Sequence, residues 1–66
     1  MAVDAADRNR AERFIEIHGG NISLAKDRIR GLMDLRNNGN DLDGYIEATK
    51  LALAILEIEK ERRVIT

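Results

Sequence analysis

The chain has 66 residues, one histidine and neither cysteine nor proline, with 11 Lys and Arg against 12 Asp and Glu. That length holds one domain with a small core, and the missing thiols exclude a disulfide framework or a thiolate metal site. Charged residues of mixed sign make up 35% of the chain at a net charge of −1, which reads as a solvated helical surface and excludes a basic nucleic-acid arm or an acidic tail.

Phe14 and Tyr45 are the two aromatics, so the core must come from Ile, Leu, Ala and Val, a composition that favours packed helices. No run approaches the ~20 apolar residues a membrane span needs. Met1–Arg10 carries acids early and no hydrophobic signal region, which places the expected location in the cytoplasm with no membrane partner.

Residues 1–6 are small and weakly patterned and are expected to fray within a single helical domain covering 1–66. The first helix is predicted over about 7–18, with Asp4 or Asp7 accepting from a free N–H of the first turn. Ala11, Phe14, Ile15 and His18 share its apolar face, and Gly19-Gly20 supplies the left-handed residues that end it.

Asn21 is the expected cap of a second helix over about 22–36. Ile22, Ala25, Ile29, Leu32 and Met33 form its inner stripe, widened by Leu24 and Leu35. Gly31 interrupts the polar side at a cost of ~1 kcal/mol relative to alanine, which reads either as a close approach by another backbone or as a tolerated surface glycine. Asn37-Asn38-Gly39-Asn40-Asp41 is a run of turn formers. Gly39 is expected to end the second helix, with Asn40 or Asp41 capping a third over about 41–63 and Asp43 in its first turn.

The third helix is the longest and carries two apolar stripes. Leu42, Tyr45, Ile46, Thr49, Ala52, Leu53 and Leu56 fall on one side at spacings of three and four, the pattern of a helix packed on its own domain. Leu51, Ala54 and Ile58, with Ile55 and Ile65 at the margins, lie on nearly the opposite side. A helix apolar on both sides is covered by more than one neighbour. This second stripe is therefore expected to face another copy of the chain, giving a homodimer or higher symmetric oligomer. Cover by the first helix within the monomer is the alternative. Beyond Leu56 the third helix, longer than its partners, is expected to project past the domain.

The fold class that follows is all-α, a three-helix antiparallel bundle with a long C-terminal helix. Catalysis has no foothold, because His18 lacks a serine, cysteine or second histidine as partner. Asp41-Leu42-Asp43-Gly44 resembles part of a calcium loop, but the register puts Gly39 first and Lys50 twelfth, where a bidentate glutamate belongs. No catalytic residue, metal ligand or cofactor is expected.

Gly19-Gly20-Asn21-Ile22-Ser23-Leu24-Ala25 resembles the start of the helix-turn-helix of Fis-type DNA-binding domains, with Gly31 standing for the turn. That resemblance implies a DNA-binding adaptor with a degenerate helix-turn-helix at 19–36. The near-neutral charge argues against nucleic acid as a partner. His18-Gly19, Arg28-Ile29 with Leu32, and Gly39 with Asp41 resemble, in order, a pattern of short uncharacterised helical proteins of alphaproteobacteria. That likeness implies a three-helix organisation. The favoured reading is a small non-enzymatic module or regulator that binds another protein and self-associates through its C-terminal helix.

Overall fold

The structure, a computed structural model, describes residues 3–64 and the side chains of residues 3–63. Among the described residues there are three α-helices and no strand: α1 Ala5–Ile17, α2 Ile22–Asn38 and α3 Leu42–Val64. They pack as an all-α three-helix bundle, as the apolar spacing predicts. The 23 residues of α3 rise about 35 Å, which accounts for most of the 40 Å long axis of the molecule.

Each boundary has a local cause. Asp4 stands at the start of α1, where its carbonyl accepts from Arg8 N–H at 2.9 Å, but its carboxylate makes no capping bond. Asp7 sits in the first turn and pairs with Arg10. At the other end Gly19 and Gly20 take φ of 72° and 77°, which turns the chain back so that Gly20 N–H reaches the Ile15 carbonyl at 2.9 Å. Asn21 caps α2, its side chain accepting from Leu24 N–H at 3.0 Å.

Gly39 ends α2, as expected. Gly39 follows the last residue of α2 at an ordinary φ of −86°, and the left-handed residue is Asn40, at 58°. Asparagine tolerates that region because its short polar side chain bonds locally. Asp41 then caps α3, accepting from Gly44 N–H at 3.0 Å, while Arg36 Nη1 donates to the Gly44 carbonyl at 2.9 Å. A side chain at Gly44 would displace these two partners. A Cβ there would stand 2.8 Å from Asp41 Cγ and 2.9 Å from Arg36 Cδ.

The buried core consists of alanine and isoleucine alone: Ala11 and Ile15 from α1, Ala25 and Ile29 from α2, and Ala48, Ala54, Ile55 and Ile58 from α3. Each helix thus brings one Ala-x-x-x-Ile pair, at 11/15, 25/29 and 54/58. Residues four apart share a helix face. The alanine of each pair lets a neighbouring helix approach closely, and the isoleucine one turn on fills the space. Phe14, Ile22, Leu32, Met33, Leu51 and Ala52 pack around this centre, half-buried.

Helix α3 is the element the others share. It packs against both α1 and α2, which barely touch each other. Lys26, near the start of α2, pairs with Glu59 at 3.1 Å, and Arg36, near its end, reaches Gly44, so α2 runs antiparallel to α3. Arg8 holds Glu61 through a two-pronged contact, and Glu12 meets Arg62 at 3.5 Å. Arg10, on the other side of α1, meets Glu47 at 3.4 Å, about 21 Å further back along α3. That spread fits a helix lying obliquely across α3.

These contacts correct the expected overhang. Ile58 is 1% exposed, and Glu59, Glu61 and Arg62 are each tied to α1 or α2. Through Arg62 the C-terminal part of α3 stays in contact with α1 and α2. Leu24 and Leu35, expected to widen the inner stripe of α2, are exposed instead.

Candidate protein-interaction face

The two apolar stripes of α3 exchange the roles expected of them. Of the residues expected to meet a second copy, Ala54, Ile55 and Ile58 are 0–1% exposed within the single chain. Leu51 is half-buried against the same core, and Ile65 lies outside the described residues. Helix α1 covers this stripe, laying Ala11 and Ile15 over it and fixing itself with the Arg8–Glu61 and Glu12–Arg62 pairs. The stripe expected to face the domain core instead looks outward. Leu42 is 69% exposed, Ile46 42%, Leu53 41% and Leu56 47%.

Two signals in the sequence bear on this choice. One is the Ala-x-x-x-Ile spacing shared by all three helices, which joins Ala54 and Ile58 to the inner faces of α1 and α2. The other is the row Glu47, Glu61 and Arg62 beside the buried stripe, whose charges match Arg10, Arg8 and Glu12 on α1. Periodicity alone carries neither, since both stripes of α3 repeat at helical spacing.

The outward stripe is continuous. Leu42, Ile46, Thr49, Leu53, Leu56 and Lys60 follow one another at four, three, four, three and four residues. This is the 3.5-residue seam by which one helix meets another lengthwise. From Leu42 to Leu56 it runs about 21 Å. Thr49 does not interrupt it with an unmet polar group, because its hydroxyl donates to the Tyr45 carbonyl at 2.9 Å. The four exposed fractions add to about two whole aliphatic side chains, so covering them is worth roughly 3–6 kcal/mol per chain.

The borders of the seam are charged or half-buried. Lys50, on one side, lies 3.7 Å from Glu47 of its own helix. Tyr45 and Ala52, on the other side, are half-buried. At the two ends stand Asp43 and Lys60, and neither has an ion-pair or hydrogen-bond partner among the described residues.

No protein family, curated protein or solved structure matches this chain. Its function is therefore argued from its surface. Among the described residues no group of three or more His, Cys, Asp or Glu side chains is placed to hold a metal ion, and no helix is long and apolar enough to cross a membrane. Both carboxylates of the calcium-like string are accounted for by α3: Asp41 as its cap, Asp43 in its first turn.

His18 is half-buried, its Nδ1 2.7 Å from the Phe14 carbonyl and its ring 4.5 Å from the Phe14 ring. It closes the end of α1. A hollow of about 160 Å³ beside the α2–α3 turn is lined by Arg36, Asn37, Asn40, Asp41, Leu42 and Tyr45. Arg36 and Asp41 are already committed there to Gly44.

The helix-turn-helix reading finds no turn. Helix α2 runs unbroken from Ile22 to Asn38 through Gly31, so residues 19–36 hold one helix where that motif needs two. No described residue beyond its own helix approaches Gly31 either; a Cβ there would meet open space. The surface-glycine reading of that residue fits.

Proposed function

We propose that the protein is a small non-enzymatic interaction module or regulator that self-associates through α3, with Leu42, Ile46, Leu53 and Leu56 as the contact residues. The observation that supports this reading is the seam itself. Four large aliphatic side chains stand exposed at coiled-coil spacing on a helix whose opposite face is already fully used by its own domain. Scattered exposed aliphatics are ordinary on a protein surface, but a contiguous apolar row on one helix marks a contact site. Two such faces contribute about 6–12 kcal/mol before the cost of association, itself several kcal/mol or more. The balance favours a micromolar, reversible contact over a permanent one.

Light scattering tests the reading at about 100 μM, where micromolar association is close to saturated. The expected mass is near twice the 7.4 kDa of one chain. Leu53→Glu and Leu56→Glu should restore the mass of one chain with helicity intact. A wild-type mass of 7.4 kDa at that concentration overturns the reading.

A further inference from the structure

We infer that the partner of this face is a second copy of the same chain, laid antiparallel about a two-fold axis beside residue 51, with Lys60 of each copy paired to Asp43 of the other. The inference rests on the self-association reading above and adds the direction, the register and the ion pair.

The seam is bracketed by opposite charges. Leu42 and Lys60 are eighteen residues apart, five full turns, so they point the same way at the two ends of one face. Asp43 stands beside Leu42 in the first turn of α3. Asp43 and Lys60 are the charges at the ends of the seam that the chain leaves unpaired among its described residues.

A two-fold axis beside residue 51 sets residue x of one copy against residue 102 − x of the other. Ile46 then meets Leu56, Thr49 meets Leu53, and Leu42 lies along the methylene stem of Lys60, whose ammonium reaches Asp43. All four exposed aliphatics of each copy are covered. The opposed α3 helices also set their dipoles head to tail.

Three features oppose this arrangement or compete with it. At the axis the two Lys50 side chains approach each other, although Glu47 of its own helix lies 3.7 Å from each. The same alignment brings Glu57 of each copy beside Asp43 of the other, so that Lys60 lies between two carboxylates and offsets their repulsion. A parallel pairing in register would place Lys60 against Lys60, leave Asp43 unmatched and align the two dipoles. Sliding the antiparallel pair by one heptad in either direction matches Lys50 with Asp43 or with Glu57, but leaves Leu56 or Leu42 uncovered. Full cover of the apolar row and the Lys60–Asp43 match coincide in one register.

The chain has no cysteine, so introduced thiols report proximity without interference. Leu42→Cys, Lys50→Cys and Lys60→Cys are prepared separately in the full chain and oxidised mildly, alone and as a mixture of the 42 and 60 variants. The expected result is a 50–50 cross-link and a 42–60 cross-link in the mixture, with no 42–42 product. Efficient 42–42 cross-linking in a protein that still has twice the mass of one chain overturns the antiparallel pairing and leaves the interaction reading standing. Absence of association by light scattering overturns both. As a second measurement, Lys60→Glu should weaken association about three- to tenfold, with recovery when Asp43→Lys is added. Equal losses in the single and double variants contradict the ion pair.

Discussion

Ile55 and Leu56 are neighbours in sequence, yet the structure sends one to the centre of the core and the other to its outer surface. Ile55 is 0% exposed and Leu56 47%. Trimming Ile55 to valine removes one buried methylene, which costs about 0.5–1.5 kcal/mol. A domain of this size unfolds with about 3–10 kcal/mol, and each kcal/mol moves Tm by roughly 4–8 °C. Ile55→Val should therefore lower Tm by about 2–12 °C. Ile55→Ala leaves a cavity among Ala54, Ile58 and the facing helices and costs about 2–5 kcal/mol, enough to unfold much of the population. Leu56→Ala gives up only a partly covered side chain, opens no sealed cavity and gains slightly in helix propensity. Its cost should be about 0.5–1.5 kcal/mol, less than that of Ile55→Ala. Thermal melts followed by circular dichroism make the comparison, run dilute enough that light scattering gives the mass of one chain. A larger loss for Leu56→Ala than for Ile55→Ala would show α3 turned the other way and refute the packing described.

Two further outcomes follow from the helix ends and the ion pairs. Asn21→Ala should cost about 0.5–2 kcal/mol, because it removes the bond to Leu24 N–H, while Asp4→Ala should cost less, its carboxylate making no capping bond; urea titrations of the two variants reversing that order would contradict the caps. Glu61 is held below the usual carboxylate range, chiefly by its hydrogen bond from Arg8 and then by the charge of that guanidinium. Its contribution is therefore present above the unfolded value near 4.3 and lost as pH falls through the lower folded value. Melting temperatures from neutral to acid pH should fall less steeply in Arg8→Gln than in the wild type, and identical slopes would remove Arg8 as the cause.

Much of the fold is legible because local signals agree with one another. Asn21, Asp41 and the Gly19-Gly20 pair punctuate the chain where hydrophobic spacing starts and stops, and the inner stripes of α1 and α2 each have one apolar side to offer. The errors at the α2–α3 turn are of one or two residues. Asn37 and Asn38, read as turn formers, extend α2 up to Gly39, and Asn40 takes the left-handed position before α3, a place more often held by glycine. The expected overhang failed because helix lengths say nothing about crossing direction. The obliquity of α1, fixed by where Arg8, Arg10 and Glu12 find their partners, brings cover to the far end of α3.

The face of α3 was the harder question, and its answer turns on side-chain size more than on hydrophobicity. By apolar count the two sides are matched, the outward one with three leucines and an isoleucine and the buried one with two alanines and two isoleucines beside Leu51, so hydropathy does not choose between them. Three helices around a core this small need their axes close, however, and a leucine at every contact holds them apart. The buried side of α3 supplies Ala48 and Ala54 at the points of approach and fills between them with Ile55 and Ile58. Ala11 with Ile15 and Ala25 with Ile29 do the same from the opposing helices. The leucines, larger than those alanines, then remain outside, 41–69% exposed. A seam of large side chains displaced from a small-residue core is suited to a looser contact with another helix, which connects the alanines of the core to the association proposed for the surface.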